Sequence, residues 1–442
     1  MKFETALLRS LVAAAIITLV LSSTVWAGGA ARTTIAFVGT DSNIYCCKGD
    51  CSVTQCLTCP VSGLEVRAAG LLKVALPAAE QEPEPADYNW PTYSPDGTKL
   101  GYVSARRGPN GPVFGVHIFD FNVKNSIEIF ESSRERPIYL FWPAGDSHKL
   151  SFLTASASGL SLILAEAREG TPLRLVARGV PLYFDWNLPR HELAVHTNSS
   201  PAARTEQVYL MSLSESGETV DKLLSEGMAP FKVPAWSRDR RHLAYVATSA
   251  GQAKLYVGDG EGNNPRPLVS LAEGETSFVW APDSRRIAYS TARTGENLTY
   301  NGIGLVDIAT GKTTKLVQEP VTAYSFSPDS RHLAYIAVPP GPYFSWKVAD
   351  LPSGKSRHLG DFITTGDEAI AYRYFDQLAL SHSIWSPRSD ALIFAGVLVR
   401  GGEAMLPMFS PPPSIWVIPI SNAPARKIAN GKLGFWSPVG GN

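Results

Sequence analysis

The amino-acid sequence predicts an all-β protein, an eight-bladed β-propeller with four strands in each blade; seven blades are the alternative. Three observations lead to this prediction. A turn motif recurs about every 50 residues, a strand pattern follows each copy, and the two ends of the chain supply complementary parts of one more repeat. A repeat architecture also accounts for the length, because 442 residues exceed the roughly 250 to 300 that one hydrophobic core usually holds.

The motif is an aromatic residue followed by a tight turn, as in the sequence YSPDG that begins at Tyr93 and leads into KLGYVS. Proline fixes φ at the first turn position, aspartate bonds nearby backbone amides, and the aromatic ring packs between neighbouring blades. Eight aromatic residues are predicted to have this structural role: Tyr93, Trp142, Trp186, Trp236, Trp280, Phe326, Trp385 and Trp436. Spacings of 44 to 59 residues are typical of one blade per repeat.

The two ends of the chain each match half a blade. Residues 34–38 (TIAFV) and 43–47 (NIYCC) match a second and a third strand, yet no motif copy precedes them. The missing first strand is expected at 433–436, so that both termini share one blade and close the propeller over residues 34–438. Such pairing removes open sheet edges.

Three further segments differ from the repeats. Residues 1–27 match a signal peptide, with basic residues, a short apolar run and a final Ala27. That run is shorter than the roughly 20 residues that span a bilayer, although an uncleaved anchor is the alternative. We therefore expect a periplasmic or extracellular protein without an integral membrane segment after cleavage. Residues 77–91 are acidic and proline-rich, which predicts a solvated loop. The segment 338–384 is longer than its counterparts, which predicts extended loops.

The charge composition indicates no nucleic-acid partner, because 40 Lys and Arg balance 40 Asp and Glu. Six arginines nevertheless fall in the first-hairpin turns of three consecutive repeats: Arg238, Arg240, Arg241, Arg285, Arg286 and Arg331. Equivalent turns share one face of a propeller, so these side chains are candidates for a basic surface that binds an acidic polymer or protein. Ordinary solvated turns are the alternative interpretation.

All cysteines lie within fourteen residues: Cys46, Cys47, Cys51, Cys56 and Cys59. Disulfides are expected in an exported protein, and antiparallel strands could place Cys46 or Cys47 opposite Cys56. One thiol is then left unpaired or pairs between chains. The alternative is a zinc or iron–sulfur site, because Cys56 and Cys59 have ligand spacing. The alternating Asp259, Glu261 and Asn263 lack the final glutamate of a calcium loop, and we predict neither a metal nor a cofactor.

The recurring motifs resemble the TolB-type, WD-like propeller repeats over nearly the whole mature chain, as in WSRD leading into HLAYVA from Trp236. This resemblance implies a periplasmic or extracellular protein that binds other proteins. Similar propellers precede the hydrolase domain of dipeptidyl-peptidase and prolyl-oligopeptidase relatives. This sequence has no Gly-x-Ser-x-Gly elbow, and four residues follow Pro438, so no hydrolase domain is expected.

The sequence therefore favours a non-catalytic binding module whose face loops hold a protein, a peptide or a cell-surface glycan. One alternative is an enzyme that uses the axial channel, with acidic or histidine residues from strands near Trp142, Trp186, Trp236 and Trp280. Another is an accessory subunit of a separately encoded hydrolase. The sequence leaves the oligomeric state open.

Overall fold

The computed structural model describes residues 34–49, 51–59, 86–198, 205–214, 217–227, 231–292, 299–399, 411–421 and 423–439. These residues belong to one compact unit, residues 33–440, which is built almost entirely from antiparallel strands. The predicted signal peptide, residues 1–27, lies outside the described residues. So do residues 77–85 of the predicted acidic loop.

The first three strands are β1 (Thr34–Gly39), β2 (Ile44–Lys48) and β3 (Thr54–Cys56). Five separate four-stranded sheets follow along the chain. Sheet I contains β4 (Ala86–Tyr93), β5 (Lys99–Gly108), β6 (Gly111–Asp120) and β7 (Asn125–Ser132). Sheet II contains β8 (Arg136–Phe141), β9 (Lys149–Ser156), β10 (Gly159–Glu166) and β11 (Arg174–Gly179). Sheet III contains β12 (Leu182–Asn187), β13 (Glu192–Asn198), β14 (Glu206–Ser214) and β15 (Gly217–Glu226). Sheet IV contains β16 (Ala235–Trp236), β17 (His242–Ser249), β18 (Gln252–Asp259) and β19 (Arg266–Ser270). Sheet V contains β20 (Thr276–Trp280), β21 (Arg286–Thr291), β22 (Ile303–Asp307) and β23 (Thr313–Val317).

The remaining strands form one continuous sheet of ten. It begins with β24 (Val321–Phe326), β25 (His332–Ala337), β26 (Phe344–Asp350) and β27 (Ser356–Thr364), which we call sheet VI. It continues through β28 (Ala391–Val399), β29 (Ser414–Pro419) and β30 (Arg426–Trp436) into β1, β2 and β3. The long β30 joins both ends of the chain, because it pairs with β29 at its beginning and with β1 at its end, where Phe435 lies opposite Ala36.

Helical structure is confined to three short pieces among the described residues. They are a 3-10 helix (Leu188–Arg190), α1 (Gly366–Arg373) and α2 (Phe375–Leu378). The side chain of Thr365 caps α1 by accepting a hydrogen bond from the backbone amide of Glu368 at 3.1 Å. Among the described residues, no helix is long and apolar enough to span a lipid bilayer.

The recurring turn is held by its own polar side chains. In sheet IV the hydroxyl of Ser237 donates to Asp239 at 2.6 Å, and the backbone amide of His242 donates back to Ser237 at 3.0 Å. The turns also contact one another, because the aspartate amide of one turn donates to the serine hydroxyl of the next. These pairs, 2.9 to 3.3 Å apart, are Asp96 with Ser147, Asp239 with Ser284, Asp283 with Ser330, and Asp329 with Ser389. Turns of successive sheets therefore lie side by side.

The motif aromatics are buried, apart from the partly buried Trp280, and several hydrogen-bond across sheets. The indole nitrogens of four of them donate to the preceding sheet at 2.9 to 3.1 Å: Trp142 to Thr92 O, Trp186 to Ser151 Oγ, Trp280 to Ala235 O and Trp385 to Ser325 O. Trp236 instead donates to Gly260 O within its own sheet. Phe326 and Trp436 are also buried, and Tyr93 Oη lies 3.6 Å from Cys46 Sγ.

The predicted loop at 77–91 is wrong for residues 86–91, which belong to β4. Their backbone pairs with β5, with Ala86 opposite Arg106 and Asn89 opposite Val103. Hydrogen bonds to a neighbouring strand outweigh the local turn tendency of an acidic, proline-containing stretch.

Candidate binding cleft

A cleft of about 640 Å³ opens at one end of sheets III, IV and V. Its walls come from the beginning of β12, the turn between β17 and β18, and the connection from β19 to β20. The lining residues are Pro181, Tyr183, Glu206, Phe231, Thr248, Gly251, Gln252, Ala253, Leu271, Ala272, Glu273, Gly274 and Glu275. Clefts of roughly 300 to 1,000 Å³ commonly hold small ligands in proteins.

A stack of rings fixes one wall of this cleft. The buried His196 ring lies 4.3 Å from the Phe231 ring, with an interplanar angle of 6°. Its Nδ1 lies 2.8 Å from the backbone carbonyl of Lys232, and its Nε2 lies 3.0 Å from Glu206. A carbonyl oxygen only accepts, so Nδ1 carries a proton. These bonds hold Phe231 and Glu206 in place at the edge of the cleft.

The charged lining of the cleft is acidic. Glu206, Glu273 and Glu275 line it, and no lysine or arginine is among the described lining residues. Glu273 and Glu275 are exposed. Because the chain carries no formal net charge overall, this excess of negative charge is a local feature of the cleft.

Lys232 lies beneath the cleft and joins it to α2. Its ammonium group is 2.7 Å from Glu275 Oε1 and 4.0 Å from Asp376 Oδ2, and it donates to Tyr300 Oη at 3.1 Å. Burial alone favours the neutral amine, but the surrounding Asp376, Tyr300 and Glu275 raise the pKa of Lys232 above its ordinary value. Lys232 therefore remains a cation that is shared between two carboxylates.

Residues 366–382, which we call the helical segment, contact several of the sheets. Gln377 bonds the backbone of Phe184 in β12 and accepts at its own carbonyl from Tyr139 Oη of β8. Phe375 packs against Tyr324 of β24, with ring centroids 4.5 Å apart. At its end, His382 Nε2 lies 2.8 Å from Thr92 Oγ1 of β4. The segment thus holds together strands that are far apart in the sequence.

Glu368 and His382 line a second, much smaller cavity of about 40 Å³ against β24 and β30. Both side chains are buried, and Glu368 accepts from the backbone amide of Ala395 at 2.7 Å. Burial raises the pKa of Glu368 to about 8 and lowers the pKa of His382 to about 3. Both groups are therefore neutral near pH 7, which suits an interior position.

The six arginines predicted from the sequence divide into two groups. Arg240 lies 3.2 Å from the buried carboxylate of Asp185, and Arg286 bonds Asp283 and the backbone carbonyl of Ser330, both at 2.8 Å. These two side chains brace the turns. The other four are exposed: Arg238, Arg241, Arg285 and Arg331. Charge reversal at Arg240 would leave the buried carboxylate of Asp185 without its cation, so that variant reports on stability as well as on binding.

The cysteines form two disulfides, Cys47 with Cys51 and Cys56 with Cys59, and leave Cys46 as a buried free thiol. The predicted pairing of Cys46 or Cys47 with Cys56 is wrong. In the observed register Cys56 lies opposite Tyr45, while Cys47 lies opposite Thr54. Each disulfide instead closes a short local loop, and the second one uses both cysteines that had metal-ligand spacing.

Sequence reasoning did not find the residues of the cleft. Glu206, Glu273 and Glu275 are scattered over 70 residues and match no motif, and Lys232 is one lysine in a stretch without a repeat signal. The unusual length of 338–384 did mark the region of the helical segment, but nothing in it indicated that its side chains would contact so many strands.

No protein-family model matches the chain. Its sequence is similar to the Tol-Pal system protein TolB of Methylobacillus flagellatus, with 47% identity over 47 residues, or 11% of each chain. It is also similar to the Tol-Pal system protein TolB of Xanthomonas oryzae pv. oryzae, with 38% identity over 80 residues, 17% of this chain and 16% of that protein. The chain therefore matches less than a fifth of the length of these relatives.

In structure, the chain is similar to a prolyl endopeptidase, with a TM-score of 0.51 and 12% identity over 80% of this chain and 50% of that one. At this identity the likeness concerns the fold alone. The resemblance to a TolB-like β-propeller, first indicated by the repeats, is confirmed.

Proposed function

We propose that this protein is an exported, non-catalytic β-propeller of eight blades that binds a partner protein at the face containing the cleft. Sheets I to VI supply six blades. Residues 383–385, β28, β29 and the beginning of β30 supply the seventh, and the end of β30 with β1, β2 and β3 supplies the eighth. In this proposal the pairing of β1 with β30 closes the ring.

The contacts of the helical segment support this ring. Gln377 touches sheets II and III, Phe375 touches sheet VI, and Asp376 reaches Lys232 ahead of sheet IV. His382 contacts Thr92 of sheet I and the Phe435 ring of β30, whose centroid is 4.6 Å away. In a propeller, the first strand of each blade lies next to the central axis. One short segment can contact the first strands of several sheets if it lies on such an axis.

The proposal depends on a contrast between two regions. The cleft is open, whereas the region of the proposed axis is filled by side chains of the protein itself. An enzyme that works in the axial channel needs space there for its substrate. We propose that the helical segment takes up that position, and the cavity beside it holds only about 40 Å³. The cleft, by contrast, is open and far larger, which favours binding at the face.

Export is supported by two observations. The two disulfides are typical of oxidising compartments, and the sequence relatives carry the name of a Tol-Pal system protein. We accordingly propose that residues 1–27 are a signal peptide and that the mature propeller works in the periplasm or outside the cell.

Site-specific photo-crosslinking in the native host tests this proposal. A photoreactive amino acid replaces Gln252, an exposed residue in the cleft, and the matched control replaces Val123, which is 71% exposed. Val123 lies in the β6–β7 turn, where the amide of Phe121 bonds Thr98 of the adjacent repeat turn, so it marks the opposite end of a sheet. We expect a discrete protein adduct from position 252 and none from position 123. Adducts from position 123 alone, or none from either position, would contradict binding at this face.

A further inference from the structure

We infer that the cleft binds a positively charged peptide segment, with an arginine side chain placed between the carboxylates of Glu273 and Glu275. This inference rests on the proposed binding function and adds the chemistry of the partner. It assigns the contact to a few residues of an extended or loop segment, because a cleft of about 640 Å³ accommodates side chains of a partner rather than a whole domain.

The first step of the argument is that the negative charge of the cleft is available to a ligand. Glu273 is exposed and has no ion-pair partner among the described residues. The Glu275 side chain is 51% exposed and uses Oε1 to bind Lys232, while its Oε2 has no hydrogen bond within the described part of the chain. Both carboxylates can therefore accept hydrogen bonds from an incoming cation.

The second step is that, among the described residues, the cation bound to these carboxylates neutralises them only in part. Lys232 is the nearest described cation to Glu275, but its side chain is only 5% exposed and Asp376 also holds it from below. Since Lys232 is shared with a buried carboxylate, it neutralises the cleft only in part. A cationic ligand thus meets a surface with a net negative potential, which also speeds its association.

The third step concerns the aromatic wall, which favours arginine over lysine. Tyr183, which is partly buried, lines the same cleft as the two glutamates and offers part of its ring to a ligand. Phe231 is buried between the rings of His196 and Phe278 and only shapes the wall. A guanidinium group is planar, so it can lie on an aromatic face while its N–H groups bind carboxylate oxygens in pairs. A lysine ammonium group offers only a point charge for the same site.

The described carboxylates of the cleft suit such a group better than a metal ion. Among the described residues, no three acidic, histidine or cysteine side chains lie close enough together to hold a metal. Glu206 is engaged by His196, which leaves Glu273 and Glu275 as the acceptors. Two accessible carboxylates beside an apolar wall match the extended, partly apolar shape of an arginine side chain.

Selection from a random heptapeptide phage library on the immobilised full-length mature protein tests the inference. We expect enrichment of peptides that contain arginine. The affinity of a synthetic, fluorescently labelled copy of the enriched peptide is then measured by fluorescence anisotropy. We expect the Kd to rise at least tenfold when citrulline, a neutral isostere, replaces the arginine, and to rise similarly for the protein variant Glu273→Lys.

The matched control is Glu169→Lys. Glu169 is also exposed but lies in the turn between β10 and β11, so its reversal changes the net charge equally and should leave the Kd unchanged. Equal losses from both variants would mean a general effect of charge and would overturn the assignment of the cleft. Enrichment of neutral or acidic peptides, or no enrichment, would overturn it as well. None of these outcomes affects the crosslinking result at position 252. The peptide experiment can therefore contradict the inferred chemistry of the partner while the proposed binding function stands.

Discussion

Lys232 and Asp376 form a buried ion pair, with 4.0 Å between Nζ and Oδ2, that joins the strand region beneath the cleft to helix α2. The pair connects the two features that define the proposed function, the open cleft and the helical segment beside it. Because Glu275 binds the same ammonium group from the cleft side, the position of the helical segment and the charge of the cleft depend on one lysine.

Replacing Lys232 by methionine should destabilise the protein by about 3 to 5 kcal/mol, because Asp376 would remain buried without its cation. Urea denaturation followed by tryptophan fluorescence measures this change. The double variant Lys232→Met with Asp376→Asn should lose less than the sum of the two single losses, since no buried charge is then left uncompensated. Lys355→Met, at an exposed lysine, is the control and should change stability by less than about 0.5 kcal/mol. Strict additivity of the two core substitutions would contradict a direct pair.

The buried carboxyl of Glu368 should make stability fall as pH rises through neutrality. Its pKa is about 8 in the folded protein and near 4.3 in an unfolded chain. Between these values the folded state keeps a proton that the unfolded state has released, so raising the pH favours unfolding. Above pH 8 the contribution becomes constant.

His382 acts in the opposite direction, because its lowered pKa of about 3 costs stability as the pH falls from about 6.5. His382 is the same in the native protein and in Glu368→Gln, so a comparison of the two from pH 6.5 to 8 isolates Glu368. Over this range the native protein should lose on the order of 2 kcal/mol relative to Glu368→Gln, which keeps an acceptor for the amide of Ala395. Urea midpoints at both pH values measure this difference. Parallel pH dependences of the two proteins would refute the assignment.

Two buried tryptophans allow the hydrogen bonds between sheets to be measured. Trp142 donates its indole N–H to Thr92 in the preceding sheet at 3.0 Å, whereas the indole nitrogen of Trp436 has no partner among the described residues. Both side chains are buried. Phenylalanine at position 142 leaves the Thr92 carbonyl without its donor, which should cost about 1 kcal/mol more than phenylalanine at position 436. Thermal unfolding of the two variants provides the comparison, and equal losses would show that the bond contributes nothing.

The repeats were predictable because the residues that form each turn lie close together in the sequence. Ser237 and Asp239 close their turn within a few residues, and Trp142 lies at the end of a strand in a position that its neighbours in the sequence dictate. The cleft was not predictable, since Glu206 begins β14 while Phe231 and Glu275 lie in two different connections between sheets. These residues meet only after the sheets are arranged. The helical segment was visible as extra length, but its contacts depend on long-range packing, as the pair of Gln377 with Phe184 shows.

The disulfides were expected, but their pairing depended on a register that the sequence leaves open. A strand pair shifted by one residue exchanges the faces of all its side chains, and here Tyr45 rather than a cysteine lies opposite Cys56. The loop prediction for residues 86–91 was wrong because it, too, depended on pairing with another strand. Their composition favours a loop, yet β5 offers hydrogen bonds to their backbone.

The cysteine arrangement predicts a specific alkylation pattern. Burial raises the pKa of the Cys46 thiol to about 12, and its Sγ lies beside Tyr93 Oη inside the protein. A thiol that is buried and protonated does not react with iodoacetamide. Mass spectrometry of the mature protein should therefore find no alkylated cysteine in the native state, one in denaturant without reductant, and five in denaturant with reductant. The variant Cys46→Ser should reduce the second number to zero. Five modified cysteines without reductant would exclude both disulfides, and modification of Cys46 in the native state would contradict its burial against β4.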